Sequence, residues 1–403
     1  MTSTRRLSTT PSPAPFYLIL SSSLVLLILG FVMVLSATTV TSLSRTDSPY
    51  SDAVTHGMIA VVALVLAAIV AAMPVEWLRR LSLVAMLLTW AIASLRFFGF
   101  TLEAAGNEAW VLLPIIHRPV QPSEFMKLGM ILYLAASLAP NVGQLTTWQR
   151  LAGPFVAAAG SVLFVMLGGD LGTALIFWLI IMAMLLRAGL PRWMLAVLLG
   201  ATVIGVGYEI FDNPTRILRI MSFLPGVDVG DHADRLTYQP MHAEWAFGTG
   251  GLFGVGLGAS REKWFYLPAA DNDYILAIIG EELGLVGTTV VLILFAVLAI
   301  GIAQLYEQLS DPFSRLVTVG IGTWIIGQAL VNILVALGLG PVVGVPLPFL
   351  SSGGSSLLST IVAIGVLLSL ARSEPGTRSS LSQSASAARR SMSVIASRVR
   401  RSP

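Results

Sequence analysis

Ten long apolar runs, separated by short polar breaks, dominate the chain. A hydrocarbon core about 30 Å thick takes about 20 helical residues to cross. The runs therefore predict membrane-spanning helices near 16–40, 55–73, 81–99, 123–140, 151–168, 171–188, 191–211, 273–303, 314–340 and 355–371. Those near 123–140, 151–168 and 171–188 are short or interrupted by Gly and Pro, which blurs their bounds. The fold class this predicts is all-α: a polytopic integral membrane protein of about ten transmembrane helices, with a large extracytoplasmic loop at about 212–272 between the seventh and eighth. Residues 1–15 read as a cytoplasmic N-terminal segment, 16–372 as the membrane domain and 373–403 as a basic cytoplasmic tail. The tail is rich in Ser, Ala and Arg and reads as disordered, with Ser391–Arg401 a candidate basic surface helix.

Composition agrees with the pattern. Hydrophobic residues make up 55% of the chain and charged residues only 11%, against about 25% charged in a soluble domain. The net charge is +3, but much of the basic surplus lies in the tail, which fits a membrane surface better than nucleic acid. The absence of cysteine excludes disulfides, thiol nucleophiles and Cys-ligated metals. Histidines at 56, 117, 232 and 242 form no recognisable ligand set. Arg5 and Arg6 precede the first apolar run without a small-residue cleavage site, which reads as a retained first helix.

Charge sets the expected orientation. With a cytoplasmic N-terminus, the inner loops hold Arg79, Arg80, Arg150, Arg187, Arg192 and Arg315, and most carboxylates fall outside. An even number of spans then leaves both termini inside. The segments that least resemble greasy helix, 100–127, 168–173, 212–273 and 339–356, all fall at the outer face. Glu124, Lys127, Asp170, Asp273, Glu281 and Glu282 lie near the outer ends of their helices. Charges in such places either pair structurally or line a wet site, and the sequence leaves both readings open.

Five segments carry specific chemistry. Residues 121–127 read Gln-Pro-Ser-Glu-Phe-Met-Lys, and 170–174 read Asp-Leu-Gly-Thr-Ala. A glycine-rich stretch, Gly248-Thr-Gly-Gly-Leu-Phe-Gly-Val-Gly-Leu-Gly258, runs on to Arg261 and Lys263. Leu267-Pro268 and Asp273 precede Gly280-Glu281-Glu282-Leu283-Gly284, and Pro346-Leu-Pro-Phe-Leu-Ser351-Ser-Gly-Gly-Ser355-Ser356 completes the set. In this order they resemble the SEDS family (shape, elongation, division and sporulation) from about Tyr17 to Arg372. Leu29–Ala37 and Asp311-Pro312-Phe313 are similar to its actinobacterial division branch, and an elongation or sporulation role stays open.

The resemblance implies a peptidoglycan glycosyltransferase. Such an enzyme polymerises lipid II into glycan strands at the outer face of the plasma membrane, during septal synthesis. The donor carries undecaprenyl pyrophosphate and the acceptor is a sugar 4-hydroxyl. The chemistry needs a base for the hydroxyl proton and cations for the departing pyrophosphate. By the same resemblance Asp273 is the candidate general base, Glu124 a site-shaping carboxylate and Lys127 a pyrophosphate contact. Asp170, Arg216, Arg219, Arg261, Lys263, Ser351 and Ser355 are further candidate substrate contacts.

Each has a plainer reading. Asp273, or Asp271 two residues earlier, is equally a helix cap; Glu124 and Lys127, three apart, are equally a structural pair. The glycines suit either anion binding through backbone N–H groups or tight packing. Arg216 and Arg219 are equally interface arginines, Ser351 and Ser355 equally shape the backbone, and one of Glu281 and Glu282 is expected to anchor a neighbouring helix. No cofactor is evident, although pyrophosphate recruits divalent cations. The implied partners are a class B penicillin-binding protein transpeptidase and other division membrane proteins.

Several positions depart from the family pattern. Glu108-Ala109 replaces a basic pair before Trp110, and Gly168-Gly169 stands where Gln-Pro is usual. Asp271-Asn272 replaces His-Thr, His242 a Gln, and Val343 a Thr. Asp273, Glu124 and Lys127 keep the pattern. The reading to set against an enzyme is a flippase for the lipid-linked precursor, and a third is a non-catalytic division scaffold.

Overall fold

The computed structural model describes residues 12–104, 107–113, 119–145, 148–212, 214–223 and 233–380. His117, His232, the first eleven residues and the tail from 381, with its expected surface helix, lie outside these. The chain opens with three helices, α1 (Ala14–Thr46), α2 (Ser51–Ala72) and α3 (Val75–Ser94). Then come α4 (Pro122–Leu138), α5 (Trp148–Leu167), α6 (Leu171–Ala188), α7 (Arg192–Asp212), α8 (Pro214–Phe223) and α9 (Ala233–Gly250). Three long helices close it: α10 (Ile275–Gln308), α11 (Pro312–Ala336) and α12 (Gly354–Ser373).

Each of the ten expected spans has its helix, and the protein is a multi-pass membrane protein. Among the described residues nine helices are long and apolar enough to cross a membrane. The expected span at 123–140 is α4, only 17 residues long, with Glu124 and Lys127 inside it. Helix α4 is central all the same. It packs against α3, α5, α11 and α12, so its charges meet protein and not lipid. At the other extreme α7 is almost wholly exposed, with Val203, Ile204 and Phe211 facing outward.

Two features correct the sequence reading. An antiparallel sheet, β1 (Thr101–Ala104), β2 (Asn107–Leu112) and β3 (Pro119–Val120) in that order, replaces the expected irregular segment ahead of α4. Val111 pairs with both Thr101 and Val120. The expected long loop after α7 is also folded, for it contains α8 and α9.

The glycine-rich stretch shows why its glycines are there. Helix α10 breaks at Gly284, where φ is +67°, and the backbone of 250–256 inserts at the break. Val255 and Gly256 donate N–H to the carbonyls of Glu281 and Glu282 at 2.9 and 3.1 Å, and Gly251 and Leu252 accept from Leu285 and Val286 at 2.9 and 3.2 Å. Backbone groups freed by the break are thereby satisfied, as an apolar setting demands. A Cβ at Gly254 would lie 2.1 Å from the Glu282 carbonyl, at a residue whose φ is +79°. Gly254→Ala is therefore expected to destabilise the protein by about 1–3 kcal/mol, read as a lower unfolding midpoint in detergent. A Gly254→Ala change as harmless as Gly248→Ala, at an exposed position where nothing lies within 4 Å of an added Cβ, would contradict this packing role.

Candidate active site

One end of the bundle holds a cavity of about 1160 Å³. All four irregular segments reach it: Trp110 and Gln121, then Asp170, then Arg216 with Asp273, and Val343 with Ser355. The rest of the wall is apolar helix surface, including Val34 of α1, Leu175 of α6, and Val206 and Ile210 of α7.

Asp273 lies just ahead of α10, partly buried in this wall. It does not cap the helix. The N-cap position is Tyr274, without a side-chain cap bond, and Asp271 instead accepts from the Ser352 hydroxyl at 2.7 Å. The segment 271–273 is tied down from behind. Asn332 of α11 donates one amide to the Asp273 carbonyl at 2.8 Å and to that of Val345 at 2.7 Å. The Ser351 hydroxyl donates to the Asn272 carbonyl at 2.7 Å, and the Ser352 N–H to the Asp271 carbonyl at 2.9 Å. Among the described residues the Asp273 carboxylate receives only the Asn272 amide, at 3.1 Å, and it faces the cavity.

Its surroundings make it a better base than a free aspartate. Burial, then the negative charges of Asp170 and Asp271, push its pKa up to about 7. Asp170 is N-cap of α6, accepting from the Thr173 N–H at 2.9 Å and hydroxyl at 2.7 Å, and from Gln121 at 3.1 Å. Burial raises its pKa as well, against the pull of the Thr173 bonds.

The cations of the wall come from α8 and α1. Arg216 pairs with Glu209 at 2.7 Å and donates to the Gly169 carbonyl at 3.0 Å, which joins α8 to the start of α6. Arg219 is exposed on the same wall. Ser355 also lines it, accepting from the Gln121 N–H at 3.1 Å.

Five expected site residues stand elsewhere. Lys127 is buried with Glu124 at 2.8 Å, donates to Gln328 at 2.8 Å and sits 4.8 Å from the Trp324 ring centre. Neither member of the pair lines the cavity, because Gln328 and Trp324 of α11 enclose them. Lys263 is likewise buried, on Glu282 at 2.9 Å, with bonds to Ser36 and the Gly258 carbonyl. Arg261 is exposed away from the cavity, its N–H donated to Glu281 at 3.0 Å. Glu281 also receives the Ser260 hydroxyl and so holds the glycine-rich segment, while Glu282 accepts from the Ser36 hydroxyl at 2.7 Å and ties α10 to the neighbouring α1, the anchoring expected of one of the two. The Ser351 hydroxyl is occupied by the Asn272 carbonyl and the Leu347 N–H.

Two cavity residues escaped the sequence reading. Arg45 closes α1 at the wall, and buried His56 stands in the second turn of α2 beside the Ser352 backbone, neither ring nitrogen in normal hydrogen-bond geometry. The place of His56 near the cavity end of a span is the signal that marks it. Among the described residues no three His, Cys, Asp or Glu groups are placed to hold a metal.

A multi-pass helical membrane protein with one acidic and arginine-bearing cavity at a bundle end is the class these features define. Within it, the chain belongs to the FtsW/RodA/SpoVE family of cell cycle proteins, whose pattern matches residues 17–375. It is 34% identical over 357 residues to the probable peptidoglycan glycosyltransferase FtsW of Halomonas elongata, covering 87% of this chain and 88% of that protein. It is 34% identical over 374 residues to stage V sporulation protein E of Bacillus subtilis, covering 90% and 99%. The fold matches a chain of a solved peptidoglycan synthase complex with a TM-score of 0.70 at 24% identity, covering 89% and 97%.

Proposed function

We propose that this chain is a peptidoglycan glycosyltransferase that polymerises lipid II into glycan strands during septal wall synthesis. The observation that carries the reading is Asp273: a carboxylate held by its backbone, with a pKa near 7, facing a cavity that also holds arginines. A base that works at neutral pH needs that poise.

In this reading Asp273 takes the proton of the acceptor 4-hydroxyl as that oxygen attacks the donor sugar. Arg216 and Arg219, with Arg45 at the mouth, neutralise the departing pyrophosphate, and Ser355 and His56 offer polar contacts to the sugars. The apolar wall of α1, α6 and α7 receives the prenyl chain, and exposed α7 is the side from which it joins the bilayer. Lys127, Glu124, Lys263 and Ser351 act through the frame that holds these groups. A divalent cation, where one takes part, arrives with the pyrophosphate.

The arginine bias supports a cavity on the outer face and both termini in the cytoplasm. In the same reading residues 16–372 form one membrane domain. A class B penicillin-binding protein is the partner this activity calls for, since glycan strands need crosslinking; the solved chain of like fold belongs to a complex that coordinates polymerization and crosslinking.

The experiment is reconstitution of purified protein, with its cognate transpeptidase, in vesicles carrying labelled lipid II on one leaflet. Long glycan products without net movement of label between leaflets are expected. Movement of label without polymer would assign a flippase, and neither would assign a scaffold.

A further inference from the structure

At the bundle end opposite the cavity, two arginines share one aromatic ring. The guanidinium carbons of Arg187, at the end of α6, and Arg315, in the first turn of α11, lie 4.8 and 4.3 Å from the centre of the Tyr306 ring. Contact with a ring face attracts a cation but occupies none of its in-plane N–H donors.

Among the described residues no carboxylate completes this arrangement. Among the described residues neither arginine makes an ion pair. Asp311, at the start of the same helix, is committed to Arg79 at 2.8 Å and to the N–H and hydroxyl of Ser314. Glu307, beside Tyr306 in sequence, is exposed and pairs with neither. Arg187 suits the negative end of α6, but Arg315 sits at the positive end of α11, where a cation is disfavoured. Its Nε is also buried with no hydrogen-bond partner. A buried donor, a cation at the wrong helix end and a second cation on the same ring together call for an anion.

The neighbouring side chains say which anion. Leu186 is 60% exposed and Trp193, at the start of α7, is 63% exposed. Large apolar groups turned outward here belong against lipid, and tryptophan at a span's end marks the headgroup level. Arginine is also the side chain best shaped to hold a phosphate through several charge-assisted bonds. We infer that Arg187 and Arg315 bind the phosphate of an anionic phospholipid headgroup at the membrane surface remote from the cavity. This site is independent of the proposed catalysis.

The test compares full-length protein in phosphatidylcholine nanodiscs with and without phosphatidylglycerol, reading the unfolding midpoint and the lipid retained in native mass spectrometry. Phosphatidylglycerol is expected to raise the midpoint and to stay bound. Arg187→Gln with Arg315→Gln is expected to lose at least about half of both effects, while Arg80→Gln with Arg192→Gln, which removes equal charge from the same end, keeps them. Inorganic phosphate added to phosphatidylcholine discs is expected to give no rise. Equal loss in both double variants, or an equal rise with phosphate alone, would overturn the inference. Exposed Arg187→Gln alone carries the comparison if the double variant does not fold.

Discussion

Asp273→Ala is expected to lower the rate of glycan polymerisation by about 10²–10⁴-fold, the range a positioned general base contributes. Binding of lipid II should change far less. The backbone carbonyl of Asp273 still accepts from Asn332 at 2.8 Å in such a variant, and the arginines, apolar wall and Ser355 are untouched. The loss therefore belongs in turnover and not in affinity. Asp273→Asn, which keeps the shape and the Asn272 neighbour but cannot take a proton, should lose as much. A rate constant within about threefold of the parent in either variant would remove Asp273 from the role of base.

Lys127→Met is expected to cost about 3–5 kcal/mol of stability, because it strands the Glu124 charge in the protein interior. Both side chains are only 1% exposed. The same lysine bonds Gln328, whose amide donates to the Pro346 carbonyl at 2.8 Å, so the segment that flanks Asp273 should loosen too. Glu124→Gln with Lys127→Met removes both charges and should recover much of the loss, since an absent pair is cheaper than half of one. The unfolding midpoint in detergent measures both. A double variant no more stable than the single one would mean that the lysine works through Gln328 and Trp324 instead of through Glu124. Were Lys127 a direct pyrophosphate contact, its loss would weaken substrate binding while leaving the midpoint unchanged.

The spans were legible because lipid imposes a length and a composition that show plainly in a sequence. Helix α4 was recognisable even with two charges, since Gln121-Pro122 marks its start and the apolar run follows. The sheet ahead of it was not legible. Trp110-Val111-Leu112 is too short to signal a strand, and its pairing with Thr101 and Val120 is a tertiary fact. Spacing gave the Glu124–Lys127 pair but not its depth, because depth depends on Trp324 and Gln328, two hundred residues away in sequence. The glycines of 248–258 admitted two readings for the same reason: only the break at Gly284 shows that their partners are the carbonyls of α10. The gathering of Asp170, Arg216, Arg219, Asp273 and Ser355 followed from topology, since alternate helix ends must meet on one face.

The same topology leaves Asp273 as the group on which the account turns. Its carboxylate, with a pKa near 7 through burial and two acidic neighbours, is protonated below that pH and able to accept a proton above it. The most direct test is the pH dependence of kcat/KM for lipid II polymerisation by the purified protein with its transpeptidase. The expected curve climbs between about pH 6 and 8 with a midpoint near 7, as the free enzyme's base ionises, and Asp273→Asn shows only a low, flat residue. A parent curve level across that range, or a variant that keeps the same climb, would contradict it.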